Sequence, residues 1–286
     1  MQYPLIVRLS GGLGNQLFQI AAGIKAAKLT CVDSLFLDTR FLGNYESKRD
    51  FSTGFLSKFV QNVDFGVPPL GVLSMASRFR LGRIVDWQFK KLALIKSVRG
   101  LNGLLPDKKW GVVLDGYFQH SDVLFDEEMR TFLRKQLFDE RRGLLQKYVW
   151  DGPVVGVHIR RGDYVSSKPA SRVFKAIPYE FYRRSIQTLD VRSRFLVFSD
   201  DKEAAQLFAS EIGGINVASL GLTLQDEFCL LAACNHAIIA NSTFSWWAAW
   251  LGYEPGKQLI TPRRWYVDEG RSINNPLLLP QFRVMD

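Results

Sequence analysis

Arg160 and Arg161 stand side by side in the run His158–Tyr164, HIRRGDY, with Asp163 close behind. A guanidinium is planar, permanently charged and able to donate paired hydrogen bonds to anionic oxygens, so adjacent arginines suit a diphosphate. One can face the ligand while the other pairs with Asp163. A second polar run, NSTFS at Asn241–Ser245, leads into the apolar stretch Trp246–Leu251. Backbone N–H groups at a helix start, joined by the hydroxyls of Ser242, Thr243 and Ser245, form an anion site. The plainer reading is ordinary N-capping, and the two are compatible. Near the N-terminus, Ser10-Gly11-Gly12-Leu13-Gly14 is a tight turn whose glycines let backbone approach a ligand closely. It is not GxGxxG, and no Walker lysine–serine pair follows. Asn15 and Gln16 come next and offer neutral hydrogen bonds to hydroxyl groups. For proton transfer, His158, Asp115 and His120 qualify by chemistry alone. The ring of His158 can equally serve as a backbone prop.

These groups need elements to hold them. Pro4–Leu9 reads as a buried strand, the glycine run as a turn, and Asn15–Lys28 as a helix with apolar residues at helical spacing and Asn15 as its N-cap. Ser34–Leu37 and Val112–Leu114 are further strands, the latter followed by Gly116-Tyr117-Phe118-Gln119. Glu127–Phe138 and Arg141–Val149 read as helices, and 41–105 as loops and helices without a repeat. Beyond Asp151-Gly152-Pro153, strands Val154–His158, Arg194–Ser199, His236–Ala240 and Gln258–Ile260 alternate with helices Pro178–Leu189, Lys202–Phe208, Gln225–Cys234 and Ser245–Leu251. Such alternation predicts an α/β chain with parallel sheets. Two units follow, 1–150 and 151–286. In such sheets ligands bind beyond the carboxyl ends of strands. Arg160, Arg161 and Asp163 follow one predicted strand, Asp200 and Asp201 the next, and Asn241, Ser242, Thr243 and Ser245 a third. That convergence weighs more than any single cluster.

Composition sets outer bounds. With 286 residues, 47% hydrophobic and 23% charged, the chain has ordinary globular values and room for two domains. The net charge of +9 suits an anionic partner without choosing one. Much of it sits in Arg78–Arg99, which carries seven basic residues against the single acid Asp86. Interleaved with Phe79, Leu81, Trp87 and Phe89, this stretch suits an anionic membrane surface or a solvated helical face. Cys31, Cys229 and Cys234 imply neither a disulfide framework nor a metal site, and burial is expected. Trp246, Trp247 and Trp250 are expected in the core rather than stacked on a ligand. No secretion signal or membrane span is evident, so a cytoplasmic protein is expected, with a peripheral place on the inner face of the membrane open through the basic segment.

At this point the motifs taken together resemble a family. SGGLGNQLFQ at Ser10–Gln19, GYFQ at Gly116–Gln119, VGVHIRRGDYV at Val155–Val165, FSDD at Phe198–Asp201 and ANSTFSWWAAWLG at Ala240–Gly252 resemble, in that order, the bacterial α-1,2-fucosyltransferases. After Gly116–Gln119 the run His120-Ser121-Asp122 departs from the family's usual continuation, which bears on the acceptor and not the donor. The resemblance implies a GT-B-like fold of two Rossmann-like domains facing a cleft, 1–150 on the acceptor side and 151–286 binding GDP-fucose. It implies inverting transfer of L-fucose to the 2-hydroxyl of a terminal galactoside, and no cofactor or metal; a lipid-linked acceptor is instead what a membrane-surface role of Arg78–Arg99 would suit. By the same carry-over Arg160 holds the β-phosphate, with His158, Arg161 and Asp163 ordering its loop. Asp200 positions the nucleotide, and Asn241, Ser242, Thr243 and Ser245 line the phosphate and fucose site. Gly12, Gly14, Asn15, Gln16, Tyr117 and Gln119 lie on the acceptor side, with Asn15 reaching the fucose or acceptor. Arg160, His158 and Asn15 are the catalytic candidates. The rivals are a fucosyltransferase of α-1,6 or O-linkage and a non-catalytic glycan- or nucleotide-binding protein. A nucleic-acid binder is disfavoured, since only Arg78–Arg99 mixes cations with aromatics.

Overall fold

Short apolar runs stopped by glycine or by a charged residue become the strands of two parallel sheets. The computed structural model describes residues 5–30, 35–38, 63–66, 95–98, 111–119, 127–138, 147, 152–190 and 192–286. Contacts divide the chain into two compact units, Met1–Met129 and Arg130–Asp286. The sequence places the junction later, at Asp151–Pro153. The difference lies in helix Glu127–Phe138, through which the division runs. Arg130 donates from Nε to the carbonyl of Trp250 at 3.1 Å and also binds the carbonyl of Tyr253, while Arg134 pairs with Glu254. These long side chains tie that helix to the second unit by tertiary contacts that local patterning does not display.

In the first unit the described elements are β1 (Leu5–Arg8), α1 (Leu13–Thr30), β2 (Leu35–Asp38), β3 (Val63–Gly66), β4 (Ile95–Val98) and β5 (Gly111–Leu114), and α2 (Glu127–Phe138) starts there and continues into the second. The sheet order is β3-β2-β1-β5-β4, with parallel pairing throughout. Helix α1 buries Leu17, Phe18, Ile20 and Ala21. A Cβ at Gly23 would come within 2.5 Å of Val7 Cγ2, so this glycine sets how closely α1 lies on β1. Helix α1 begins at Leu13 rather than Asn15. Asn15 is therefore not the N-cap; its N–H bonds the Gly12 carbonyl at 3.0 Å inside the first turn.

The second unit contains β6 (Val154–Ile159), α3 (Gly162–Ser166), α4 (Lys168–Ser171), α5 (Tyr179–Ile186), β7 (Arg194–Ser199), α6 (Lys202–Ile212), β8 (Ile215–Asn216), α7 (Leu224–Ala233), β9 (His236–Ile238), α8 (Thr243–Leu251), β10 (Leu259–Pro262), α9 (Glu269–Ile273) and β11 (Phe282–Met285). Its sheet order is β11-β10-β9-β6-β7-β8, again parallel. All six residues of β6 are buried, as a central strand covered on both faces demands. Val155, Val157, Ile159, Phe181, Tyr182, Val197, Phe208, Ile238 and Ile260 form one core. Each large apolar side chain there stabilises the unit by roughly 1.5–3 kcal/mol. Trp246 and Trp247 are fully buried, and Trp246 Nε1 donates to the Leu277 carbonyl at 2.7 Å, so the tryptophans are core as expected. Cys229 and Cys234 are buried thiols, also as expected; Cys31 lies outside the described residues.

Four strands escape the sequence reading: β3, β4, β8 and β11. The basic segment Arg78–Arg99 lies outside the described residues except for 95–98, which is the edge strand β4 and not part of a helical pair. The helix expected at Arg141–Val149 lies outside them too, apart from residue 147. Among the described residues no helix is long and apolar enough to cross a membrane.

Candidate functional site

In each sheet the strands laid down before the chain crosses back meet, at one boundary, those laid down after. In the second unit the chain runs outward from β6 through β7 to β8, then crosses back to β9 and continues to β10 and β11. The turning point lies between β6 and β9, and a parallel sheet opens a crevice there beyond its carboxyl ends. Arg160 follows β6 directly, Asp200 follows β7, and Asn241 and Ser242 lie between β9 and α8, which Thr243 opens. Topology thus gathers all three predicted clusters at one end of one sheet.

Arg160 is gripped from two sides. Its Nη2 meets Asp163 Oδ1 at 2.6 Å and its Nη1 meets Asp200 Oδ2 at 2.9 Å. The guanidinium carbon lies 5.3 Å from the Tyr164 ring centre, a cation–π contact. The two carboxylates differ: the Asp200 side chain is 7% exposed and that of Asp163 is 50% exposed. Asp200 also accepts the Arg161 backbone N–H through Oδ1 at 3.0 Å. The Arg161 guanidinium turns away, 5.2 Å from the Tyr179 ring centre. This corrects the expected division of labour. The arginine that pairs with Asp163 is Arg160 itself, three residues back, and both oxygens of Asp200 bind the arginine loop. The glycine of HIRRGDY follows from the same contact, since a Cβ at 162 would overlap Asp200 Oδ2. Of the neighbouring aspartates, Asp201 caps α6, accepting the Ala204 N–H at 2.9 Å.

Two other predicted ligands make hydrogen bonds within the second unit. Asn241 is 1% exposed, and its Nδ2 donates to the carbonyls of Lys175 and Trp265, each at 2.7 Å. Those carbonyls flank a short antiparallel bridge between Phe174 and Tyr266. Asn241 pins this ribbon to the sheet because buried carbonyls must find donors. Ser245 is fully buried and its hydroxyl bonds the Ser242 carbonyl at 3.3 Å. Ser242 and the half-buried Thr243 remain at the start of α8, where Ser242 is the N-cap residue and makes no side-chain capping bond. The helix therefore keeps its first-turn dipole and hydroxyls together at this end. His158 is 5% exposed within β6, its ring 5.5 Å from that of Phe244, the position of a prop rather than of an open proton acceptor.

Sequence reasoning gave no role to Tyr164. Its hydroxyl donates to the Asn241 carbonyl at 3.0 Å, and its ring lies flat on Phe174, centroids 4.6 Å apart. Burial pushes the phenol well above its ordinary pKa, so it stays protonated and keeps donating. Tyr164, Phe174 and Tyr266 show no regular spacing in the sequence, and only the bridge brings their rings together.

The first unit turns between β1 and β5. Arg8, ending β1, lies 3.7 Å from Asp38 and 3.0 Å from Asp115. Beside it the two N-terminal motifs meet, with Gln119 Nε2 donating to Asn15 Oδ1 at 3.1 Å. Gln16 is 4% exposed and donates to the Gly11 carbonyl at 2.8 Å, so it braces the turn instead of lining it. Gln19, missed by the sequence reading, accepts from Ser10 N–H and donates to Ser10 Oγ and the Gly116 carbonyl. Gly11 has φ +76°, where a side chain would be strained and would strike Asn15 Nδ2. At Gly12 an added Cβ would meet nothing within 4 Å, and Gly14 is buried in the first turn of α1. Phe118, buried, holds φ +50°, a costly conformation for a bulky residue, and Tyr117 beside it is 45% exposed. His120 lies outside the described residues.

A family profile described as Glycosyl transferase family 11 matches residues 85–275. The chain belongs to that family. Its relatives include the O-antigen biosynthesis glycosyltransferase WbnK of Escherichia coli, 30% identical with 92% of this chain and 95% of WbnK covered. An α-1,2-colitosyltransferase of Escherichia coli is also 30% identical, with 93% of each chain covered. Among solved structures, the α-1,6-fucosyltransferase NodZ, known from Bradyrhizobium and co-crystallised with GDP, superposes with a TM-score of 0.52 at 15% identity. That match covers 87% of this family 11 chain and 92% of NodZ, and the shared fold is the expected GT-B-like α/β class.

Proposed function

We propose that this family 11 chain is an inverting α-1,2-fucosyltransferase. It moves L-fucose from GDP-β-L-fucose to the 2-hydroxyl of a terminal galactoside, in an oligosaccharide or a surface glycan carried on a lipid, and needs no metal. The observation that carries the reading is the Arg160 fork, held beyond β6 at the turning point of the second sheet and gathered there with the start of α8. A sugar–diphosphate bond breaks when the leaving diphosphate is stabilised, and fixed cations and helix N–H groups supply that without reorganising. GDP bound to the similarly folded NodZ agrees with this ligand class. The α-1,2 linkage is supported by the colitosyltransferase relative and by the motifs SGGLGNQLFQ and ANSTFSWWAAWLG.

Single displacement turns the β-linked donor into an α-linked product. Arg160 meets the charge building on the diphosphate, and Ser242, Thr243 and the first turn of α8 add hydroxyls and dipole. The bond to the leaving group breaks ahead of attack, so the acceptor hydroxyl is acidified late and little base assistance is required. His158 positions the loop through Phe244. Asn15, Gln119 and Tyr117 serve the acceptor.

The colitosyltransferase relative favours a second reading, in which the donor sugar is colitose, fucose without its 3-hydroxyl. Incubation with GDP-fucose or GDP-colitose and an array of β-galactosides, with and without a chelator, followed by linkage analysis, tests both readings. An α-1,2-fucosylated galactoside formed equally well in chelator is expected. A product from GDP-colitose alone moves the chain to the second reading. Another linkage, or no product from either donor, sinks the first.

A further inference from the structure

We propose that Asp163 occupies, on Arg160, the place that the donor diphosphate takes, and that Asp200 is the permanent brace that keeps Arg160 aimed during the exchange. The inference deepens the proposed function and rests on its assignment of Arg160 to the diphosphate.

The geometry separates the two carboxylates. Asp200 is nearly enclosed, binds Arg160 Nη1 at 2.9 Å and the Arg161 N–H at 3.0 Å, and lies against Gly162 where not even a methyl group would fit. Releasing it would strand a buried carboxylate and a backbone donor together. Asp163 is half exposed and binds only the outer nitrogen, Nη2, at 2.6 Å. An exposed ion pair of this kind contributes little, because water replaces the partner at small cost. A phosphate offers the same acceptor geometry to the same nitrogen with more charge. Exchange therefore takes place at Nη2, on the solvent side, while Nη1 stays fixed.

The exchange is a side-chain rotation and not a loop movement. Tyr164, next in sequence, is anchored by its hydroxyl to the Asn241 carbonyl and by its ring to Phe174. The Asp163 carbonyl accepts the Ser167 N–H at 3.0 Å. With both anchors set, α3 stays in place and only the carboxylate swings outward. Asp163 is thus a positioning residue: it holds the guanidinium fork in order, and it sets the affinity that a diphosphate must exceed.

Isothermal titration of the full chain with GDP and with inorganic pyrophosphate tests this in four proteins: wild type, Asp163→Ala, Arg160→Ala and the double variant. Asp163→Ala is expected to bind both ligands about two- to fivefold more tightly, the scale of an exposed ion pair. That gain is expected to vanish in the Arg160→Ala background, because it acts through Arg160. A gain that persists without Arg160 reduces Asp163 to background charge and overturns the proposal. Unchanged or weaker binding in Asp163→Ala overturns it as well. Asp200→Asn, checked by circular dichroism for folding, is expected to weaken binding at least tenfold, and binding as tight as wild type would remove Asp200 as the brace. Binding of pyrophosphate without binding of GDP would defeat the donor reading, while the exchange is still decided on pyrophosphate. Failure of the wild type to bind either ligand defeats both.

Discussion

The two sheets solve the same topological problem with different chemistry. In each, an arginine at the end of the central strand lies between carboxylates at the turning point: Arg8 with Asp38 and Asp115, Arg160 with Asp163 and Asp200. Around Arg8 the remaining groups are neutral, and they are engaged with one another: Gln16 with Gly11, Gln19 with Ser10 and Gly116, Gln119 with Asn15. Around Arg160 the loop adds a second cation, Arg161, beside neutral groups, and the ion pair to Asp163 is half open to solvent. A neutral, internally bonded loop offers shape and a few hydrogen bonds, which suits hydroxyls. A charged loop with an exchangeable partner suits an anion. The sheets supply position; the state of bonding at each turning point sets the ligand class.

Changes at the second turning point should strike hardest. Arg160→Ala is expected to lower kcat by about 10²–10³-fold, as loss of a fixed transition-state donor does. Arg160→Lys should recover little, because an ammonium cannot bind Asp200 and a phosphate as a fork. Single-turnover rates measure this, and near wild-type activity in Arg160→Ala would dissolve the contrast between the two sheets. Next in size, Gly162→Ala drives a methyl group into Asp200 and should destabilise the second unit by roughly 1–3 kcal/mol. It should also weaken GDP binding, and denaturant melts and titration report the two effects separately.

At the first turning point the expected effect is smaller and of another kind. Gln119→Ala removes the bond to Asn15 and should raise the acceptor KM about three- to tenfold, the scale of one hydrogen bond, leaving the donor KM alone. An equal rise in the donor KM would mean that the two loops do not divide the substrates.

The smallest expected effect lies outside both sites, at His236. Burial, aided by the charge of Lys257, lowers its pKa below 6.5, and Nδ1 accepts the Gln258 N–H at 3.0 Å. The folded chain thus favours the neutral ring. Stability from this group is complete above pH 6.5 and declines as pH falls below it, because the unfolded chain takes up the proton first. Melting temperatures between pH 7.5 and 5 should fall less steeply in His236→Gln than in the wild type.

How much of this was legible follows physical lines. Strands β6 (VVGVHI) and β7 (RFLVFS) announce themselves through four large apolar residues each among six, and Glu127–Phe138 matches its helix at both ends. Strands β3 (VDFG) and β4 (IKSV) do not, because each holds a polar residue among only four and sits at a sheet edge. At the candidate site, residue type and strand-end position found Arg160, Asp200 and Ser242. Partner choice was hidden, since whether Asp163 binds Arg160 or Arg161 depends on the turn of α3. That Asn241 spends its amide on Lys175 and Trp265 depends on a ribbon between loops far apart in sequence.

Gly162 and Asp200 share one volume, and the chain has given it to the carboxylate. As heritable characters the two positions are one: any lineage that gains a side chain at 162 must shorten or move residue 200, and with it the hold on Arg160. A library randomised at both positions together, and selected for transfer, should return combinations that exclude two full side chains, a signature readable without solving another structure.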